Sequence, residues 1–190
     1  LMHTDARDPH GQDLPMIMDR LNINDGQVLL STSKVNPNEL AHMYRAADYT
    51  IGISDAEGFG LSTLESLTCG TPIIVNMTGG LQEQVTDGEN WFGWGIQPSS
   101  KAVIGSLQVP YIYEDRLSQK DFTSVMKKAL KLSKPKYQKM SEAGLQHIEN
   151  NYSFENFQKQ WVELMDDIVE RHGSWENRKN HKRWHFLEVA

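Results

Sequence analysis

The sequence predicts an α/β fold in which helices cover both faces of a doubly wound, Rossmann-like parallel sheet. Short apolar runs with the length of strands alternate with longer segments of helical periodicity along the 190 residues. Two glycine-bearing turns, at residues 58–60 and 79–80, each follow a strand-like run. Open parallel sheets bind ligands at such turns, beyond the carboxyl ends of their strands. The chain is long enough for the core of one such domain.

The elements follow in order, and the chain is expected to begin inside the fold, without its first strand and helix. Strands are expected at residues 1–4, 28–30, 49–54 and 72–76. Helices are expected at residues 14–21, 37–47, 61–69, 81–85, 121–132, 136–150 and 154–171. Pro37 suits the first position of its helix, and Gly70 ends the helix that begins at Leu61.

Residues 90–116 are expected to form an irregular excursion, because aromatic residues are interleaved with glycine and proline there. Within this segment, residues 109–113 fit a strand or an extended stretch. The last helix carries an apolar stripe at helical spacing, which we expect to be packed as core rather than to contact a cofactor. The members of this stripe are Phe157, Trp161, Leu164, Met165 and Ile168.

Composition excludes several classes of function. The formal net charge is −6, whereas a nucleic-acid binder needs a basic face for phosphate contacts. The single cysteine, Cys69, excludes an internal disulfide and is expected to be a small core residue rather than a nucleophile. The sequence has no apolar run of about 18 residues and no signal-peptide pattern at its start, so a cytoplasmic location is expected.

The expected domain spans residues 1–170, and residues 171–190 are expected to form a basic, aromatic C-terminal extension. This extension holds five arginine or lysine side chains and two glutamates, which give it a net charge of +3. An extension that frays or packs on the domain is the preferred interpretation. Contact of its aromatic and basic side chains with an anionic membrane is the less favoured one.

Two carboxylates, Glu57 and Glu65, bracket the first glycine turn. The free N–H groups and the dipole of the helix that starts there favour an anion such as a phosphate. Glu65, on the second helical turn, is suited to accept paired hydrogen bonds from a vicinal diol. An ordinary strand-to-helix connection with solvated glutamates is the competing interpretation of this turn alone. The turn and the first helical residues are Gly58, Phe59, Gly60, Leu61 and Ser62.

The longer string resembles a known family. Residues 57–72 read Glu-Gly-Phe-Gly-Leu-Ser-x-x-Glu-x-x-x-x-Gly-Thr-Pro, and Gly79-Gly80-x-x-Glu83 follows. This pattern resembles the C-terminal, donor-binding domain of retaining two-domain (GT-B) glycosyltransferases of the family 4 type. The resemblance is specific from about Asn38 to Asn90 and looser up to about Val169.

The resemblance implies transfer of a hexosyl group from a nucleoside diphosphate sugar, with retention at the anomeric carbon. It assigns the diphosphate and the donor sugar to the backbone of residues 58–62 and the ribose hydroxyls to Glu65. Glu57 is then the catalytic residue and contacts the transferred sugar. The polar turn before the helix at residue 37 lies beside the nucleotide base in this family, which makes Lys34 and Val35 candidate base contacts. No metal and no other cofactor is expected.

The resemblance also implies parts that the sequence does not contain. The family grips the diphosphate with a Gly-Arg-x-x-x-x-Lys-Gly type of segment, and an N-terminal acceptor domain supplies the other wall of the cleft. Without these parts, the 190 residues alone are expected to be inactive. Without the central strand, two sheet edges are expected to be unpaired, and a homo-oligomer formed through these edges is one way to cover them.

Two alternative functions remain open from the sequence alone. One is a non-catalytic module that binds a nucleotide or a sugar phosphate with the same turn. The other is a doubly wound interaction domain that binds no sugar nucleotide.

Overall fold

The computed structural model describes residues 1–9, 11–108 and 111–180 of the chain. Helices and strands alternate through most of this part. The strands are β1 (Met2–His3), β2 (Leu30–Ser31), β3 (Thr50–Gly52), β4 (Ile73–Asn76), β5 (Gly93–Ile96), β6 (Ser100–Ile104) and β7 (Ile112–Arg116). The helices are α1 (Leu14–Arg20), α2 (Pro37–Ala46), α3 (Leu61–Thr68), α4 (Leu81–Val85), α5 (Gln119–Leu130), α6 (Lys134–Tyr152) and α7 (Phe154–His172).

The parallel strands lie in two sheets. β1 pairs with β2, and β3, β4 and β5 form a second parallel sheet in that order. The pairings β2-β1 and β3-β4-β5 are those that the doubly wound order 3-2-1-4-5-6 has on the two sides of its strand 1. The expected α/β class is therefore confirmed. In the described part of the chain, β1 and β3 each have one edge without a strand partner.

The core is built around β4, whose four residues are all buried. Because successive residues of a strand point to opposite faces, the two sides of β4 pack against different helices. Ile74 packs with Ile96 and with Ala129 of α5. On the other face α3 comes so close to β3 that a Cβ added at Gly52 would lie 2.8 Å from a methyl carbon of Thr63. The carboxyl end of β3 is thereby fixed beside the start of α3.

The segment 90–116 is more regular than the sequence indicated. Gly93–Ile96 forms β5 beside β4, and residues 100–116 contain the antiparallel β6–β7 hairpin. A Cβ added at Gly93 would lie 2.0 Å from the carbonyl oxygen of Ile73, so glycine permits close pairing where it was taken as a sign of irregular structure. The extended stretch expected at 109–113 falls partly outside the described residues, and β7 begins at Ile112.

The chain divides into two compact units, residues 1–145 and residues from 146 onward. In the second unit, the expectation that the stripe of α7 forms core is wrong, because its five members are between 40% and 56% exposed. Helical periodicity reports an apolar face but not what covers it. The expected extension begins inside α7, which includes residues 171 and 172. Residues 173–180 follow α7, and residues 181–190 lie outside the described part. No helix among the described residues is both long enough and apolar enough to cross a membrane.

Candidate functional site

The candidate site is the loop of residues 53–60 between β3 and α3, called here the donor loop, together with the start of α3. Gly60 is the N-cap of α3, with a φ of +87° and no side-chain cap. A Cβ at this position would lie 2.6 Å from Leu81 Cδ2 and 2.8 Å from Thr63 Oγ1, so both conformation and space require glycine. The N–H groups of Leu61 and Ser62, in the first turn of α3, have no intrahelical acceptor, and no side chain of the described residues caps them. The start of α3 therefore presents free donors to an anion.

The second glycine turn packs directly against the donor loop. The N–H of Gly80 donates to the carbonyl of Gly58 at 3.1 Å. A Cβ at Gly79, where φ is +48°, would lie 1.6 Å from the carbonyl oxygen of Glu57, and one at Gly80 would lie 2.7 Å from that of Phe59. Neither position has room for a side chain. The two turns that the sequence presented separately are thus one structure.

A buried glutamine of α4 fixes the end of the donor loop. Gln84 is fully buried, and its Nε2 donates to the carbonyls of Phe59 at 2.6 Å and Gly60 at 3.1 Å. Its Oε1 lies 2.6 Å from the hydroxyl of Thr63, which is itself 2.9 Å from the Gly60 carbonyl. Sequence reasoning missed both side chains. The signal available was polar residues at inward positions of two short helices.

The catalytic candidate Glu57 is half-buried in the donor loop. Its Oε2 accepts a hydrogen bond from the hydroxyl of Ser54 at 3.3 Å. The carbonyl of Ser54 in turn accepts from Nδ2 of Asn76 at 2.9 Å, and Asn76 is fully buried at the carboxyl end of β4. Glu57 therefore lies at the carboxyl edge of the sheet, where parallel α/β folds bind their ligands.

The ribose candidate Glu65 is exposed on the second turn of α3. Its Oε2 accepts a hydrogen bond from the hydroxyl of Tyr44 at 2.9 Å. The carbonyl of Tyr44 accepts from the hydroxyl of Thr71 at 2.7 Å, so the residue is held at its backbone as well. Burial, followed by the hydrogen bond and the charge of Glu65, raises the pKa of Tyr44 well above its usual value. Tyr44 thus stays protonated and donates to the carboxylate at neutral pH.

The remaining candidates lie at the start of α3 and in the loop before α2. Phe59 and Leu61 are 46% and 68% exposed beside the free N–H groups of α3. Lys34 is exposed and Val35 is half-buried in the loop between β2 and α2. Among the described residues, no hydrogen bond or ion pair joins Lys34 to the donor loop, so its contact with a base stays a prediction. No group of three or more His, Cys, Asp or Glu side chains in the described part is arranged to hold a metal ion.

Curated proteins of similar sequence include glycosyltransferases. The profile described as Glycosyl transferases group 1 matches residues 17–147. A D-inositol 3-phosphate glycosyltransferase of Arthrobacter sp. is 37% identical over 109 residues, which cover 57% of this chain and 25% of that protein. Among the first curated relatives the matched part is between 12% and 25% of the relative's length, so the chain spans a quarter of those proteins or less.

Solved structures share the fold. An Anabaena protein solved with UDP and glucose has a TM-score of 0.64 at 15% identity, over 87% of this chain and 39% of that chain. The C-terminal domain of a glycosyl transferase group 1 family protein from Francisella tularensis has a TM-score of 0.51 at 22% identity, over 75% of this chain and 62% of that chain. These likenesses confirm the resemblance to the C-terminal domain of GT-B enzymes. With more than half of its length matched by the profile, the chain belongs to the Glycosyl transferases group 1 family.

Proposed function

We propose that the chain binds a nucleoside diphosphate sugar and supplies the donor-binding half of a retaining, family 4 type hexosyltransferase. The observation that carries this proposal is the uncapped start of α3 between Glu57 and Glu65. The start of α3 suits a diphosphate, and Glu65 suits the hydroxyls of ribose. Glu57 is the proposed catalytic residue. The proposed substrate-binding residues are the ones that the sequence indicated, Lys34, Val35, Gly58, Phe59, Gly60, Leu61, Ser62 and Glu65.

The diphosphate is the leaving group of the reaction, so the site has to stabilise the charge that develops on it. The N–H groups at residues 61 and 62 and the positive end of the α3 dipole act on that charge without rearranging. Gly58 helps because a Cβ there would meet no heavy atom within 4 Å, which leaves open space beside the backbone. This open backbone lets the phosphates approach closely.

Glu65 binds the ribose in this proposal. Tyr44 occupies one position on Oε2, and Oε1 has no hydrogen-bond partner among the described residues. A carboxylate has about four lone-pair positions, so two hydroxyls of a ribose can each donate to it. Because Tyr44 directs the carboxylate, less ordering is needed when the nucleotide binds.

Glu57 contacts the transferred sugar in this proposal. Breaking the bond to the diphosphate leaves positive charge on the sugar ring, which a nearby carboxylate stabilises. Binding of the sugar beside Glu57 also holds the anomeric carbon in place for attack. An acceptor domain is the proposed partner, because the donor site forms only one wall of a cleft. The proposed location is the cytoplasm, where nucleotide sugars are made.

Isothermal titration calorimetry of the 190-residue chain tests the donor site. UDP, GDP and ADP are titrated alongside UDP-glucose, GDP-mannose and ADP-glucose. We expect one nucleotide family to bind with a Kd below about 1 mM, and Glu65→Gln to weaken it at least about tenfold.

Glu142→Gln is the matched control, because Glu142 is an exposed glutamate on α6 and its substitution makes the same change of charge. We expect it to leave the Kd unchanged. Binding of none of the six compounds at millimolar concentration would contradict the proposed function. Transfer activity is then assayed with the upstream half of a related enzyme joined to the chain, which supplies both the acceptor domain and the Gly-Arg-x-x-x-x-Lys-Gly segment. Binding without any transfer would reduce the proposal to a binding module.

A further inference from the structure

The base of the β6–β7 hairpin is attached to the donor loop. The N–H of Asp115 donates to the carbonyl of Asp55 at 2.7 Å, and Nη1 of Arg116 forms an ion pair with the Asp55 carboxylate. Nη2 of Arg116 pairs with Glu114 at 2.9 Å. The carbonyl of Arg116 accepts from the N–H of Ser99 at 2.8 Å, so the arginine is also fixed at its backbone. Arg116 thus links a closed hairpin to one residue of the donor loop.

Asp55 lies two residues before Glu57 and directly after Ser54, whose hydroxyl bonds the Glu57 carboxylate. The hairpin therefore restrains the same short segment that Asn76 holds through Ser54. Its contacts are independent of those from the second glycine turn and Gln84, which bind the loop further along. The donor loop is thus also held at Asp55, by the β6–β7 hairpin.

The outer part of the hairpin is not packed into the core. Val103, Tyr111 and Tyr113 are 59%, 82% and 67% exposed. The side chains of Arg116 and Asp55 are 38% and 39% exposed, so solvent screens their ion pair and its contribution to stability is small. A guanidinium group fixes direction well, however, because its planar fork holds two carboxylates at once. The pair is better suited to orienting the loop than to stabilising the fold.

We infer that the β6–β7 hairpin positions the sugar end of the donor site, with Arg116 acting on Glu57 through Asp55. This inference rests on the proposed function, in which Glu57 contacts the transferred sugar and Glu65 the ribose. Arg116 is a positioning residue and touches no substrate. Its removal lets the segment of residues 54–57 move, which weakens the contacts to the sugar and leaves those to the nucleotide intact.

The test compares two ligands on the same chain, a nucleoside diphosphate and its sugar conjugate, for example UDP and UDP-glucose. The Kd of UDP divided by the Kd of UDP-glucose measures what the sugar adds to binding. We expect Arg116→Met to reduce this ratio about threefold to tenfold while the Kd of UDP stays within about twofold. Asp55→Asn is expected to have the same effect, and Arg116→Lys to restore part of the ratio.

Lys101→Met is the matched control, since Lys101 pairs with Asp115 of the same hairpin at 3.8 Å and is 68% exposed. This substitution removes a hairpin ion pair without touching Asp55, and the ratio is expected to stay unchanged. A double-mutant cycle then tests the route of the effect. In a Glu57→Gln background, where the sugar contact is already lost, Arg116→Met is expected to have no further effect on the ratio.

The outcomes separate the inference from the proposed function. If the unsubstituted chain binds neither ligand, the proposed function fails and the inference fails with it. If both ligands bind and Arg116→Met leaves the ratio unchanged, or weakens both ligands equally, only the inference is overturned. Additive effects of Glu57→Gln and Arg116→Met would likewise show that Arg116 does not act through Glu57. Thermal unfolding of each variant confirms that it is folded.

Discussion

The two glutamates of the motif are held in different ways. Glu65 sits on a helix, and among the described residues its carboxylate has one hydrogen-bond partner, Tyr44 of the neighbouring helix α2. Glu57 sits in a loop, and its place depends on contacts from β4, from the second glycine turn and from the β6–β7 hairpin. The helix fixes the backbone of Glu65 and Tyr44 directs its side chain, whereas several neighbours are needed to fix the loop that carries Glu57. We therefore expect the sugar end of the site to be more sensitive to substitution at a distance than the ribose end.

Replacing Gly79 is expected to have the largest effect, because it displaces the Glu57 end directly. The added Cβ would lie 1.6 Å from the carbonyl oxygen of Glu57, and the φ of +48° already strains a residue with a side chain. We expect Gly79→Ala to lower the free energy of unfolding by about 3 kcal/mol and to abolish the contribution of the sugar to binding. Urea denaturation and titration with the sugar conjugate measure these two effects.

Gly88→Ala serves as the control for this prediction. Gly88 has a φ of +95°, but a Cβ there would meet no heavy atom within 4 Å. Gly88→Ala therefore measures the cost of backbone strain alone, which we expect to lower the free energy of unfolding by about 1 kcal/mol. An equal loss of stability in the two variants would mean that the contact between the glycine turns contributes nothing.

Replacing Gln84 is expected to have the next largest effect, because this side chain supports the carbonyls on which the donor loop ends. Gln84→Leu leaves the carbonyls of Phe59 and Gly60 without their buried donor, at a cost of about 2 kcal/mol in the free energy of unfolding. Gln82→Leu, on the exposed side of the same helix, is expected to cost no more than about 0.5 kcal/mol. Equal urea midpoints for the two variants would mean that the hydrogen bonds of Gln84 to the donor loop do not stabilise the fold.

Replacing Tyr44 is expected to affect the ribose end alone. Tyr44→Phe removes one hydroxyl and leaves the ring in place, so Glu65 loses its partner without a cavity forming. We expect the Kd of the nucleoside diphosphate to rise about threefold to tenfold, and the additional affinity from the sugar to stay the same. Arg116→Met is expected to do the reverse, lowering the contribution of the sugar and leaving the Kd of the nucleoside diphosphate unchanged.

Tyr137→Phe is the control for Tyr44, because its hydroxyl also makes one hydrogen bond, to the carbonyl of Asp48 at 2.9 Å. Tyr137 lies outside the donor loop, and calorimetry is expected to detect no change in affinity. If Tyr44→Phe changed the contribution of the sugar instead, the two ends of the site would not be independent.

The sequence predicted the parts of this site that depend on local patterns. Apolar periodicity and the glycines located α3, β4 and α4, and the spacing of the motif singled out both glutamates. It did not predict the long-range contacts that hold the two ends of the site, since Tyr44 lies 21 residues from its partner Glu65 and Arg116 lies 61 residues from its partner Asp55. Such contacts depend on the packed fold and leave no local signal. For the same reason the stripe of α7 indicated an apolar face without indicating that it is exposed.

The smallest effect is expected from alkaline pH, which tests whether Tyr44 is as firmly held as its geometry implies. Burial raises the pKa of Tyr44, Tyr49 and Tyr137 above their ordinary value of 10.0, and the bond to Glu65 adds to the rise for Tyr44. The unfolded chain therefore loses these protons first, so the resulting stability is complete below about pH 10 and is lost as the pH rises toward the folded pKa values. In urea titrations between about pH 9 and 11, we expect the free energy of unfolding to fall less steeply for Tyr44→Phe than for the unsubstituted chain. Equal slopes would mean that Tyr44 ionises as readily in the folded chain as in the unfolded one, and the Glu65 end would then be held by its helix alone.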